Sequence, residues 1–205
     1  MEPAASQLQA YAGILETNGV QYGLIGPREV PRLWERHLLN CAVVAEPELG
    51  LIPHAVSVAD VGSGAGLPGL VWAIIRPDVH LTLIEPLLRR ATFLSDTVAE
   101  LGLDTQVTVV RGRAEDIIRA GAHDFDVVTA RAVAALEKLL PWTAPLVRPG
   151  GKVVLLKGAS ADTEIVAATA IAKSLGVHDL HLVTCGQQAL EVPTTVVTAV
   201  VGAAQ

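Results

Sequence analysis

A cationic excess, long apolar runs and clustered metal or redox ligands are all missing from this chain of 205 residues. Lys and Arg number 15 against 21 Asp and Glu, a net charge of −6. That disfavours a protein that coats nucleic acid by bulk electrostatics, while leaving room for a local basic face. No apolar run approaches the ~18 residues of a membrane span. The N-terminus has no basic segment followed by an apolar one, so no signal peptide is expected. The two cysteines, Cys41 and Cys185, share no metal-like or redox-like spacing. They read as buried thiols of a reduced, cytoplasmic protein. None of the six histidines clusters with cysteines or acids at ligand spacing, so no metal is expected. Repeats, low-complexity tracts and linkers are absent too. One domain over 1–205 is expected, with a helical segment over 1–50 and the core over 51–205.

What is present is a rhythm. Residues 6–18 and 29–46 read as helical; in "REVPRLWERHLLNCAVVAE" Leu33, Leu38, Leu39 and Ala42 recur at roughly helical spacing. From Val56 short apolar runs alternate with helical patterns. "VSVADV", "HLTLIE", "QVTVVRG", "FDVVTAR" and "GGKVVLLKG" read as five strands, most with a helix following. "DLHLVTC" and "TTVVTAVVG" have no helix between them and predict an antiparallel hairpin. Such alternation implies an α/β fold, Rossmann-like: a doubly wound, mostly parallel sheet ending in an antiparallel strand. Ligands of such sheets bind beyond the carboxyl ends of the strands.

The stretch "VADVGSGAGLPG", residues 58–69, lies at that position between the first strand and its helix. Gly64, Gly66 and Gly69 fit the G-x-G-x-x-G spacing of dinucleotide loops. Gly62, Gly64 and Gly66, after Asp60, fit a G-x-G-x-G spacing instead. Either way glycines allow a tight turn and close approach of a ligand to the backbone. Glu85, 19 residues after Gly66, ends the second strand, where an acid accepts bonds from ribose hydroxyls in either kind of ligand. It reads equally as a solvent-facing acid. In "RGRAEDI" Ala114 and Glu115 can hold an adenine edge, or simply begin a helix whose dipole favours acids. Arg131, in "TARAVAAL", sits where the sheet opens to ligand. An NAD-dependent oxidoreductase would need a proton relay such as a Tyr–Lys pair; the only tyrosines, Tyr11 and Tyr22, both lie upstream of the expected fold core. A non-catalytic RNA-binding module that kept an adenosyl site is a third reading.

Taken together, "DVGSGAGLPG", "LIEPLLRRATFL", "RGRAEDI", "TARAVAAL" and "LLKG", with "RHLLNC" upstream, resemble the bacterial small-subunit ribosomal RNA guanine-N7 methyltransferases, the glucose-inhibited division protein B family. The resemblance runs in order over roughly residues 30–160. It implies the class I methyltransferase fold, S-adenosyl-L-methionine as cofactor, and methyl transfer to N7 of one guanine in 16S-type ribosomal RNA. It places Gly62 and Leu67 at the amino-acid and sulfonium end of the cofactor, Glu85 at its ribose, and Ala114 and Glu115 at its adenosyl part, with Gly64 of the same loop also expected to bind the cofactor. Arg131 is implied as the catalytic residue, at the cofactor and guanine side. The expected partner is ribosomal RNA within a small subunit or an assembly intermediate, met by a monomer through Arg32, Arg36, His37, Arg89, Arg90 and Lys157. Charged rows such as these also occur as plain solvated faces. The alternative substrates are another RNA or a small molecule. Three places depart from the family pattern: "YGLIGP" stands for its N-L-T motif, Asn40 for an aspartate and Thr194 for an arginine. Guanine N7 carries an in-plane lone pair, so the reaction demands no catalytic base and gains from orientation and electrostatics.

Overall fold

A computed structural model describes residues 2–121 and 124–202. Seven strands form one sheet in the order β3-β2-β1-β4-β5-β7-β6. They are β1 (Ser57–Val61), β2 (His80–Ile84), β3 (Val107–Val110), β4 (Phe125–Arg131), β5 (Val147–Lys157), β6 (Val177–Cys185) and β7 (Thr194–Val201). The first five pair in parallel. β7 runs antiparallel to both β5 and β6, so the expected hairpin is present with its second strand inserted inside the sheet and β6 at the edge. The strand order reverses direction between β1 and β4, which opens a crevice at the carboxyl ends of those two strands.

The helices follow from the same sequence. They are α1 (Glu2–Ile14), α2 (Asn40–Ala42), α3 (Gly69–Ile75), α4 (Leu88–Glu100), α5 (Ala114–Arg119), α6 (Leu136–Thr143) and α7 (Ala161–Ser174). Side chains alternate along each strand and feed two apolar layers. Val58, Val127, Val154 and Val196 join one layer with Leu70 and Trp72 of α3 and Phe93 and Leu94 of α4. Ala59, Val128, Val153 and Val197 join the other with Leu136 and Leu139 of α6 and Ala168 of α7. Pro141 lies inside α6 without ending it; the chain tightens into a 3-10 turn only at Ala144–Leu146.

The N-terminal helical part packs into the first of these layers. Tyr11, Leu15, Leu33, Leu38 and Cys41 are fully buried there. Tyr11 therefore belongs to the core, although it precedes the core strands in sequence. The stretch over 30–45 is helical but irregular: 3-10 at Val30–Arg32, π-type at Trp34–Leu39, then α2 and a final 3-10 turn. A buried ion pair fixes the path of the chain from there into β1. Arg76 donates Nε to Asp78 Oδ1 at 2.8 Å and Nη2 to Asp78 Oδ2 at 2.7 Å. The same guanidinium donates to the carbonyls of Ala45, Ile52 and Pro53. Backbone leading into β1 is thus tied to the α3–β2 turn.

Candidate active site

The glycine loop spans Gly62 to Gly69 at the carboxyl end of β1. Its glycines do different things. A Cβ on Gly66 would lie 2.4 Å from Leu70 Cδ1 and 3.0 Å from the Tyr11 hydroxyl, so this glycine lets the loop pack down on the core. Gly64, at φ +55°, has only the Gly62 carbonyl at 3.8 Å in its Cβ direction. That direction is open, and Gly64 lines a cleft of about 580 Å³ with Gly62, Leu67, Glu85, Arg90 and Arg131. Tyr11 holds the loop from beneath, donating its hydroxyl to the Ala65 carbonyl at 2.7 Å.

Two buried carboxylates anchor the loop. Asp60 accepts the Gly69 N–H on Oδ2 at 3.1 Å, while Oδ1 has no partner among the described residues. Burial pushes its pKa up to about 7, against the lowering effects of the Gly69 bond and Arg131. Glu85 is 2% exposed. It accepts the Gly64 N–H on Oε2 at 3.0 Å and the Leu87 N–H on Oε1 at 3.0 Å. Its carboxylate thus forms part of the cleft wall and holds the loop at the same time. The solvent-facing alternative for Glu85 does not describe this chain.

A second cavity, about 340 Å³ and mostly apolar, adjoins the cleft and shares Gly62, Pro86 and Val133 with it. Ala114 and Glu115 line it, together with Ile84 and Trp142. Ala114 begins α5, so "RGRAEDI" lines a cavity and starts a helix at once. Trp142 and Val133 escape sequence reasoning. Trp142 lies in the last turn of α6, where its pattern signals only a helix face.

A third cavity, about 440 Å³, lies on the β5–β7 side and shares only Arg131 and Ala132 with the cleft. Arg131 is strongly tied down. Its Nη1 donates to the His37 carbonyl at 3.3 Å and to Cys41 Sγ at 3.1 Å. Its Nη2 donates to the Arg36 carbonyl at 3.1 Å and to His37 Nδ1 at 2.8 Å. The irregular helical turn Trp34–Leu39 supplies three of these acceptors and α2 the fourth, Cys41; π-type turns are frequent at functional sites. His37 Nδ1 is therefore the acceptor nitrogen, and Nε2 donates to Glu29 Oε2 at 3.2 Å. Burial and the Arg131 charge lower the His37 pKa, outweighing Glu29, so the ring is neutral at neutral pH. Burial likewise pushes the Cys41 thiol up to about 11.

The remaining basic residues divide. Arg32 and Arg90 are exposed, and Arg90 lines the cleft mouth. The Arg36 side chain is also exposed, 3.9 Å from Glu29, and borders the third cavity. Arg89 donates Nη2 to the Gln21 carbonyl at 3.0 Å and lies 4.9 Å over the Tyr22 ring. Lys157 turns inward and pairs with Glu164 at 2.6 Å. Asn40 and Thr194, two of the places where the sequence departs from the family pattern, meet in space. The Thr194 hydroxyl donates to Asn40, to its carbonyl at 3.0 Å and to Oδ1 of its side chain. Among the described residues, no group of three or more His, Cys, Asp or Glu could hold a metal ion. No described helix is long and apolar enough to cross a membrane.

Comparison with known proteins converges on one family. The GidB family, described as rRNA small subunit methyltransferase G, matches residues 4–192. The Ribosomal RNA small subunit methyltransferase G of Salinispora tropica is 55% identical over 192 residues, covering 92% of this chain and 78% of that protein. The proteins of the same name from Mycolicibacterium smegmatis and Streptomyces coelicolor are 53% and 52% identical, covering 93% and 94% of this chain and 79% and 78% of those proteins. Among solved structures, the P. horikoshii TYW2 complex with MeSAdo aligns with a TM-score of 0.60 at 16% identity, over 86% of this chain and 64% of that one. The O-methyltransferase TomG from Streptomyces achromogenes, in complex with SAM, aligns at 0.54 and 20% identity, over 82% and 91%. These likenesses show the Rossmann-like methyltransferase fold.

Proposed function

The chain belongs to the rRNA small subunit methyltransferase G family, and on that footing we propose which of its residues hold the cofactor and where the methyl group goes. It is an S-adenosylmethionine-dependent methyltransferase of small-subunit ribosomal RNA. The observation that carries the site assignment is the pair of adjoining cavities meeting at Gly62. The apolar one, walled by Ile84, Ala114 and Trp142, suits an adenine ring. Glu85 stands at the ribose position, with lone pairs left beyond its bonds to Gly64 and Leu87. The open Cβ direction of Gly64 gives a ligand direct access to backbone. Gly62, Gly64 and Leu67 would then flank the amino-acid end. The residues present fit the group. When bound, S-adenosylmethionine supplies an electrophilic methyl carbon on a sulfonium.

The acceptor we propose is N7 of a guanine, which needs no proton removed before attack. The chain's task is to hold two partners in line and exclude water, where orientation supplies most of the gain. The guanine would enter from the third cavity, because that one meets the cofactor cleft only across Arg131 and Ala132. Arg131 would touch the reacting partners with its remaining Nε edge while its Nη groups brace the irregular helical stretch at residues 36–41. A duplex base must leave its stack to reach such a cavity. Arg32, Arg36, Arg90 and, through its exposed flank, Arg89 would receive the flanking phosphates. His37, neutral and bonded on both nitrogens, suits bracing better than phosphate binding. We read the chain as a single-domain monomer of the cytoplasm acting on a small subunit or its assembly intermediate. Isothermal titration tests the cofactor assignment: S-adenosylmethionine and S-adenosylhomocysteine bind, and NAD does not. Binding of NAD alone would overturn it.

A further inference from the structure

Lys157 and Glu164 form a half-buried ion pair on the wall of the third cavity, which they line together with Arg36 and Arg131. Lys157 ends β5 and its side chain is 8% exposed; Glu164 lies in the first turn of α7 and its side chain is 18% exposed. Their Nζ and Oε2 atoms are 2.6 Å apart. The pair is stitched to one segment, 132–136, the loop after β4 with the first residue of α6. Lys157 Nζ donates to the Ala134 carbonyl at 2.9 Å. Glu164 Oε2 accepts the Leu136 N–H at 2.8 Å, and Oε1 accepts the Ser160 hydroxyl at 2.7 Å.

That loop is the wall of the site. Ala132 separates the cofactor cleft from the third cavity, and Val133 separates the cleft from the apolar one. Ala132 holds φ +55°, a left-handed conformation unfavourable for a residue with a Cβ. Val133 Cγ2 lies where a Cβ on Gly62 would come within 2.9 Å, so loop and glycine turn are in close register. Taking two charges out of water is costly, and such pairs seldom add net stability. A site that depends on sub-ångström alignment gives that cost a use.

We propose that Lys157 and Glu164 are positioning residues for methyl transfer, fixing segment 132–136 as the partition across which the methyl group passes. The proposal rests on the reading of the chain as a methyltransferase, and it assigns Lys157 to this pair instead of to RNA phosphate. The two residues act as one unit, so their removal is non-additive.

The experiment measures kcat and KM for tritiated-methyl transfer to small ribosomal subunits in Lys157→Met, Glu164→Gln and the double variant, beside cofactor affinity and thermal melting. Expected is a drop in kcat of at least tenfold in both single variants. KM for the subunit and Kd for S-adenosylmethionine should stay within twofold, and the double variant should be no worse than the weaker single one. Glu164→Gln keeps shape and size, so it serves where Lys157→Met fails to melt cooperatively. Full kcat in Glu164→Gln overturns the proposal, and so does a Lys157→Met defect confined to KM with a reduced salt dependence, the mark of a lost phosphate contact. Absence of methyl transfer by the unaltered protein would instead overturn the functional reading itself.

Discussion

The backbone N–H of Gly69 donates to Oδ2 of Asp60 at 3.1 Å, across the root of the glycine loop. Gly69 is the first residue of α3, so the N–H that a dinucleotide loop would aim at a pyrophosphate is already taken by a side chain. Of the G-x-G-x-x-G glycines, Gly66 and Gly69 serve packing beneath the loop, while Gly64, with Gly62, faces the cleft.

Asp60 also predicts a pH dependence. Its folded pKa of about 7 lies above the ~3.9 of an unfolded chain. A raised acid pKa means that the folded state binds the proton more tightly. The contribution is fully present below about pH 4 and is lost as pH rises through about 7. Urea midpoints of the unaltered protein and Asp60→Asn, compared from pH 4 to 8, should show the difference between them moving against the unaltered protein as pH rises. Parallel curves would contradict a raised pKa at Asp60.

The Arg76–Asp78 pair predicts the opposite slope. Bonds from Arg76 hold the Asp78 carboxyl well below the usual carboxylate range, outweighing burial. Its stabilisation is present above the unfolded value of ~3.9 and falls away as pH drops toward the folded one. Asp78→Asn should cost about 3–5 kcal/mol at neutral pH, because it strands a buried guanidinium. The gap between the two proteins should narrow below about pH 4. A constant gap would show that the loss is one of packing alone.

Gly64 and Gly66 should respond differently to the same added methyl group. Gly64→Ala places its Cβ in open cleft and bears a left-handed backbone cost of roughly 1–2 kcal/mol. It should weaken S-adenosylmethionine binding at least tenfold in a protein that still melts cooperatively. Gly66→Ala drives a Cβ into Leu70 and should lower the melting temperature more than Gly64→Ala does. The reverse order of effects would place the ligand elsewhere.

Arg32→Glu with Arg90→Glu tests the RNA face. Both residues are exposed. Methyl transfer to small subunits should fall at least tenfold, about 1.4 kcal/mol, and its salt dependence should flatten. Unchanged transfer would take the RNA path off this face.

Legibility in the sequence follows contact range. Strands β1 to β5 are readable because buried parallel strands are short apolar runs ended by turn residues, and the glycine loop is readable because it lies within twelve consecutive residues, 58–69. Glu85 is found through its fixed offset from the loop. The Tyr11–Ala65 bond and the Lys157–Glu164 clamp on Ala134 and Leu136 join separate elements, and no local pattern announces them. Arg131 is located by its place at the end of β4, but its four bonds to residues 36–41 are invisible in the sequence, since they depend on how the helical stretch over 30–45 docks.

The most direct test of the central claim uses small ribosomal subunits that lack the modification, incubated with S-adenosylmethionine and either the unaltered protein or Glu85→Ala. N7-methylated guanine is mapped by reduction and aniline scission of the RNA. The account predicts one new scission at a guanine of the small-subunit RNA with the unaltered protein. It predicts a markedly slower appearance of the same scission with Glu85→Ala, whose cofactor binding should be weaker by about 1.5–3 kcal/mol. Methyl incorporation without scission, or scission at equal rates at limiting cofactor in the two proteins, would contradict it.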